Sequence, residues 1–166
     1  MRSSRLAMVA LGAVASLNCA ASTPPRGGAM ADAASLQRDL GTATLRDVER
    51  QVPRVLHRHQ YEIERDDASP SLLTIQTRWK ARYPLQDEID SGGVEARTRL
   101  TLTARSRFRS GGAADVRVVE LLAENMVLIG DSTRWRNGFT TPLFAKYLDG
   151  IAEELKTELK AGIRVH

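Results

Sequence analysis

Two stretches of this chain alternate apolar and polar residues one by one, and that period of two most restricts the fold. From Leu72 to Tyr83, one set holds Leu73, Ile75, Thr77, Trp79, Ala81 and Tyr83. The other holds Leu72, Thr74, Gln76, Arg78, Lys80 and Arg82. From Arg97 to Phe108 the inner set is Thr98, Leu100, Leu102, Ala104, Ser106 and Phe108, against Arg97, Arg99, Thr101, Thr103, Arg105 and Arg107. Successive side chains of a strand point to opposite faces, so each stretch predicts a strand with one face in a core and one in water. The polar stretch Pro84–Gly93 between them and the Ser110-Gly111-Gly112 turn after them suit antiparallel neighbours.

Asp115–Val127 predicts a further strand. Val116 and Val118 fit one face while Val119, Leu121 and Ala123 fit the other. A β-bulge near Val119 or a strand covered on both faces reconciles them. Tyr61–Glu64 starts a shorter alternating segment.

Helices are predicted at both ends of this group. Leu45, Val48, Val52, Val55 and Leu56 follow i, i+3/i+4 spacing, with Thr44 as cap and Asp47 three residues on. Pro53 lies inside this run and predicts a kink, or a helix that starts upstream near Ser35 with a second piece from Pro53. Near the C-terminus, Phe144, Leu148, Ile151, Leu155 and Leu159 make an apolar stripe over about Pro142–Ala161, with Tyr147 and Ala152 beside it. The expected fold is α+β: a single antiparallel sheet of about four strands, flanked by an N-terminal and a C-terminal helix, over residues 35–166.

The segment before the domain reads as an address. Arg2 and Arg5 precede the apolar run Leu6–Leu17, which is too short to span a bilayer core of about 20 residues. Cys19, the single Cys, follows directly. A lone Cys at this place resembles a bacterial lipobox, where the Cys becomes the first mature residue and carries lipid. The pattern departs from the usual one, since Ser16 stands three residues before the Cys, Asn18 one before, and Leu17 one place late. An ordinary cleavage after Ala20 or Ala21 satisfies the small-residue rule as well. The expectation is a signal over residues 1–18, a small, Pro/Gly-rich tether over 19–34, and a membrane partner reached through lipidated Cys19. The predicted location is the periplasmic face of the outer membrane, with the inner membrane and the soluble periplasm as alternatives.

Charge then takes on a different meaning. The chain carries 24 Lys+Arg against 20 Asp+Glu, net +4. Loss of Arg2 and Arg5 with the signal leaves 22 against 20, net +2. Nucleic acid is therefore not an expected partner. Any attraction to anions has to come from placement, and the alternation places Arg78, Lys80, Arg82, Arg97, Arg99, Arg105 and Arg107 on one exposed sheet face if the two strands pair. Like charges directly opposite each other repel. The expectation is an anionic partner there, a lipid headgroup or glycan, or offsetting acids from Glu62, Glu64 or Glu120. Trp135 and Phe139, in an Arg-flanked loop, form a second candidate interface.

A search for catalytic chemistry finds no constellation. His57 and His59 are two residues apart and do not share a helix face, and His166 stands alone at the end. Asp87, Glu88 and Asp90 lack the twelve-residue calcium-loop pattern. No Gly-x-Ser-x-Gly elbow or nucleotide-binding Gly pattern occurs. No catalytic residue, cofactor or metal is expected.

The helix over Leu45–His59, then Tyr61-x-Ile63, an acidic turn, and Ile75-x-Thr77-x-Trp79 resembles small Gram-negative envelope lipoproteins with helix-grip domains. The lipoprotein subunit of the outer-membrane β-barrel assembly machinery belongs to this group. The resemblance covers Leu45–Tyr83, and Gln60 stands where the pattern has Gly. It implies a non-enzymatic scaffold or binding role in the envelope with a protein partner. Alternatives are a carrier of an anionic lipid or other amphiphile between sheet and helix, or a subunit of an inner-membrane complex with a retained anchor.

Overall fold

The computed structural model describes residues 35–107, 116–130, 134–137 and 139–162. The signal and tether with Cys19, the turn at Ser110-Gly111-Gly112, Phe108 and His166 lie outside the described residues. The chain order is β1 (Ser35–Thr44), α1 (Leu45–Arg58), β2 (Ile63–Ala68), β3 (Leu72–Thr77), β4 (Lys80–Arg82), α2 (Gln86–Asp90), β5 (Gly93–Ser106), β6 (Val116–Ile129), β7 (Trp135–Asn137) and α3 (Pro142–Gly162).

The fold is α+β with a single antiparallel sheet, as expected, but the sheet has seven strands where about four were expected. The order is β1-β6-β5-β3-β2; β4 continues the β3 lane along β5, and β7 pairs with β6 beyond the end of β1. β1 was not read as a strand because its period breaks. Leu36 and Leu40 face the helices, and then the next such residue is Ala43, since a bulge between Asp39 and Gly41 adds one residue. Gly41 sits there at φ +87, in the left-handed region that favours glycine.

α1 runs unbroken through Pro53. Its start is closed by Thr44, whose Oγ1 accepts the Asp47 N–H at 3.1 Å and donates to Asp47 Oδ2 at 2.6 Å. Gln60 adopts φ +58, a left-handed conformation in which glycine is unstrained.

α1 and α3 cover one face of the sheet. Val48, Val52 and Leu56 from α1 and Phe144, Leu148, Ile151 and Leu155 from α3 meet Leu73, Ile75, Leu100, Leu102 and Leu121 from the strands, all buried. β6 alternates without interruption, so no bulge at Val119 is needed: Val119, Leu121 and Ala123 face the helices, and Val116, Val118 and Leu122 face the other way.

The expected strand Leu72–Tyr83 is in fact two strands. Gln76 pairs Thr101 and Lys80 pairs Thr98, so four steps on one strand match three on β5. The extra residue falls at Arg78-Trp79 and inverts every side chain after it. Leu73, Ile75 and Thr77 point to the core as predicted, but Lys80 and Arg82 follow them there, while Tyr83 is 94% exposed. The loop Pro84–Gly93 contains the short helix α2.

Candidate functional site

No element covers the sheet face opposite the helices among the described residues. This outer face presents Leu122, Met126 and Leu128 from β6 beside Arg97, Arg99 and Arg105 from β5. Its centre is an aromatic and guanidinium stack. Arg97 lies between the two Trp residues of the chain, its guanidinium carbon 5.0 Å from the Trp79 ring and 4.3 Å from the Trp135 ring. Arg99 covers Trp79 at 4.7 Å. Such contacts contribute ~0.5–2 kcal/mol each, more as water is removed.

The two arginines differ in one respect. Arg99 forms a bidentate pair with Glu124 directly across the strands, at 2.7 and 3.0 Å. Arg97 meets Met126 Sδ at 3.3 Å, and its buried Nε has no hydrogen-bond partner among the described residues. Its charge is held by indole faces and by no carboxylate among the described residues. Further along the face, Asp39 and Glu120 stand opposite each other on β1 and β6. Glu120 shares a shallow groove of about 180 Å³ with Arg105, Gln37 and Leu122.

The seven cations expected on one surface divide between two. Arg97, Arg99 and Arg105 are on the outer face. Arg78, at the bulge, is exposed with Glu62 at 3.9 Å, and Arg107 is exposed just past β5. Lys80 and Arg82 are on the helix side, because the bulge inverts them. Glu62 does offset a cation, as one of the named acids; the principal one, Glu124, was not anticipated.

Lys80 reaches the end of α1, where its Nζ donates to the His59 carbonyl at 2.6 Å above the Tyr61 ring. Burial pushes its ammonium pKa down. Arg82 enters a buried polar cluster. It holds Glu88 by two bonds of 2.8 and 2.6 Å, donates to Asn125 Oδ1 at 2.9 Å and to Thr98 Oγ1 at 3.1 Å. The Glu88 side chain is fully buried and also accepts the Leu85 N–H at 2.7 Å and Asn125 Nδ2 at 2.7 Å. Desolvation pushes the Glu88 carboxyl up, but the bonds from Arg82, Leu85 and Asn125 and the Arg82 charge outweigh it and hold it below its ordinary 4.5. Beside this cluster the Tyr61 and Tyr147 hydroxyls meet at 2.9 Å, and Arg82 lies over the Phe144 and Tyr147 rings at 5.5 and 5.9 Å. Burial, then the Tyr147 neighbour, drives the Tyr61 phenol far above its ordinary 10.0.

Trp135 and Phe139 do not form one surface. Trp135 belongs to the outer stack, whereas the Phe139 carbonyl accepts Asn125 Nδ2 at 2.8 Å on the helix side. Asp87, Glu88 and Asp90 do not converge either: Asp87 accepts the Leu143 N–H at the start of α3, and Asp90 accepts the Gln86 amide. Trp79 was expected in the core; the only signal against that was the polar company of Arg78, Lys80 and Arg82 after Thr77.

The outer face therefore has the residue types that anchor protein interfaces, Trp, Arg and Met, around an apolar strip. The Arg82–Glu88 cluster serves to join β4, α2, β6 and the α3 approach. Compared with protein-family models and with curated proteins, the chain matches none.

Proposed function

We propose that the chain is a lipid-anchored envelope protein, a non-catalytic binding or scaffold subunit of a membrane-associated assembly, docking through its uncovered sheet face. The observation that carries this reading is the Trp79–Arg97–Trp135 stack on a sheet face that no described element covers. Two large aromatic rings held rigidly at a surface expose apolar area at low entropic cost, as interface anchors do. The anchor reading rests on Arg2, Arg5, the short apolar run and Cys19. No described helix is long and apolar enough to cross a membrane, so attachment falls to the N-terminal segment.

The amphiphile-carrier alternative needs room between sheet and helices. There, Leu56, Leu102, Phe144 and Leu155 are at most 1% exposed. A groove of about 330 Å³ opens instead at the surface between β4 and β5, beside Tyr83 and Val94.

The test is made on membranes. Intact mass of the extracted protein is expected to show a chain starting at Cys19 with added acyl groups. Mild detergent extracts are expected to hold the protein in a particle larger than the free chain, and the triple substitution Trp79→Ala, Arg97→Ala, Trp135→Ala to release it. An unacylated protein in the soluble fraction, or a particle unchanged by the triple substitution, overturns the proposal.

A further inference from the structure

The outer face carries an unmatched charge at each end. At one end Arg97, paired across the strands with Met126, has no carboxylate among the described residues. At the other, Glu120 and Asp39 face each other across β6 and β1. Arg105 shares the groove with Glu120 and Asp39 accepts the Gly41 N–H at 2.8 Å, which leaves two acids to one cation, and like charges opposed in this way cost stability. Neither acid forms an ion pair among the described residues. Between them lie Leu122 and Thr101, which need no partner, and Arg99–Glu124, which is already matched within the chain. Met126 and Glu120 are separated along β6 by about 20 Å at the usual strand rise.

We infer that the outer face is self-complementary and that its occupant is a second copy of this chain. The inference rests on the docking role of that face and names the partner. A two-fold axis lying across the strands at the level of Ala123 exchanges the two ends of the face. It lays Arg97 of each copy beside Glu120 of the other and brings the two Leu122 side chains near each other at the centre. Residues that meet in this way, i against j and j against i, are the mark of a closed two-fold interface. The two sheets stack with strands antiparallel, within the range that sheet sandwiches adopt. Four strand lanes at ~4.8 Å and ten residues at ~3.4 Å give roughly 650 Å² of projected area. That approaches the ~800 Å² per partner of a stable interface. The Arg99–Glu124 pairs enter already hydrogen-bonded, so covering them leaves no new orphan charge.

The experiment uses the mature chain from position 19 with Cys19→Ser, which removes the signal, the lipid and the need for detergent. Sedimentation velocity is expected to give twice the chain mass. Arg97→Glu alone and Glu120→Arg alone each place like charges together at two symmetric positions and are expected to weaken the dimer roughly 100-fold. An equimolar mixture of the two single variants is expected to restore it. The glutamate introduced in one variant then meets the arginine introduced in the other, and the unaltered Arg97 meets the unaltered Glu120. Restoration on mixing also shows that both variants are folded. A monomeric parent chain, single variants that dimerise like the parent, or a mixture that stays monomeric overturns the inference. A photo-crosslinking amino acid at Leu122 in cells separates this from the docking role. An adduct of twice the mass supports the second copy. An adduct with a different protein overturns it and leaves the docking role standing, and absence of any adduct removes both.

Discussion

Replacing Glu88 by Gln tests whether the Arg82 cluster holds the sheet and α2 together. Glu88 is fully buried and the Arg82 side chain is 10% exposed. The carboxylate accepts from Arg82 twice, from Leu85 N–H and from Asn125. The amide of Gln keeps one acceptor, but its NH₂ turns toward groups that are all donors. Arg82 then sits in a nearly closed site with no countercharge. Removing one partner of a buried pair costs about 3–5 kcal/mol. Because Asn125 Oδ1 and Thr98 Oγ1 still accept from Arg82, the lower end applies, about 3 kcal/mol. Against a total stability of roughly 5–15 kcal/mol this is a large fraction.

The assay is urea unfolding followed by circular dichroism. With a slope of ~1.5 kcal/mol/M the midpoint falls by about 2 M. Arg82→Met is expected to lose a similar amount. Arg82→Met with Glu88→Leu, which removes both charges, is expected to recover part of the loss. The pH dependence adds an independent check. The folded carboxyl lies below its ordinary 4.5, so its stabilisation is present above that value and is lost as pH falls through the folded pKa. The gap between parent and Glu88→Gln is therefore expected to narrow below pH 4.5. A loss under ~1 kcal/mol, or a gap that stays constant from neutral to acid pH, refutes the reasoning.

Gly93→Ala puts a methyl 2.7 Å from Val127 Cγ1 and 2.8 Å from the Glu88 carbonyl oxygen, so about 1–3 kcal/mol is expected to disappear from the thermal unfolding free energy. Gln60→Gly relieves a left-handed residue at φ +58 and is expected to raise stability by roughly 0.5–1 kcal/mol, read as a higher urea midpoint. Tyr61 has its phenol raised by burial, so its stabilising contribution is complete below its ordinary 10.0 and declines as pH rises above that value. Alkaline unfolding of Tyr61→Phe is expected to lack this component while losing about 1 kcal/mol at neutral pH with the Tyr147 hydrogen bond; an identical alkaline profile would count against the buried placement.

The elements legible in the sequence are those whose periodicity runs unbroken. α1 and α3 showed a single apolar stripe each, and Thr44 with Asp47 marked the start of α1 by a mechanism the structure repeats. β5 alternates from Ala96 to Ser106, past an irregularity between Gly93 and Glu95, and Arg97–Ser106 was placed on the correct faces. Two of the failures in the sheet sit where one inserted residue breaks the period; the third, β7, is three residues long, too short to show a period. At Leu40-Gly41 the break hid β1 altogether, because the inserted residue leaves Leu36, Leu40 and Ala43 at i, i+4 and i+7, the spacing of a helix face. At Arg78-Trp79 it was invisible, because Trp79, Ala81 and Tyr83 continue an apolar alternation that looks sound on paper. No local pattern distinguishes an aromatic residue in the core from one stacked on an arginine at the surface. The Arg82–Glu88 pair escaped for another reason: a six-residue separation across a turn carries no periodic signal.

The second of these breaks also resolves a difficulty that the sequence raises. Seven cations on one sheet face would repel one another, and the uninterrupted alternation puts them there. One extra residue at Arg78-Trp79 turns Lys80 and Arg82 through the sheet to a carbonyl and to Glu88. The same insertion turns Trp79 outward, where its ring takes Arg97 and Arg99. Arg99 already has Glu124, so the stack concentrates on Arg97 a charge that is solvated by π-faces and matched by no acid among the described residues. A fold that needed only to quiet its own charges would have placed an acid across from Arg97, as it did for Arg99, but the residue opposite is Met126. The mismatch is thus local, sits on an uncovered face, and is complementary to the opposed acids Asp39 and Glu120 at the far end. The two indole faces stabilise Arg97 within the single chain, but they do not pair its charge with an acid, as the proposed association through the face would.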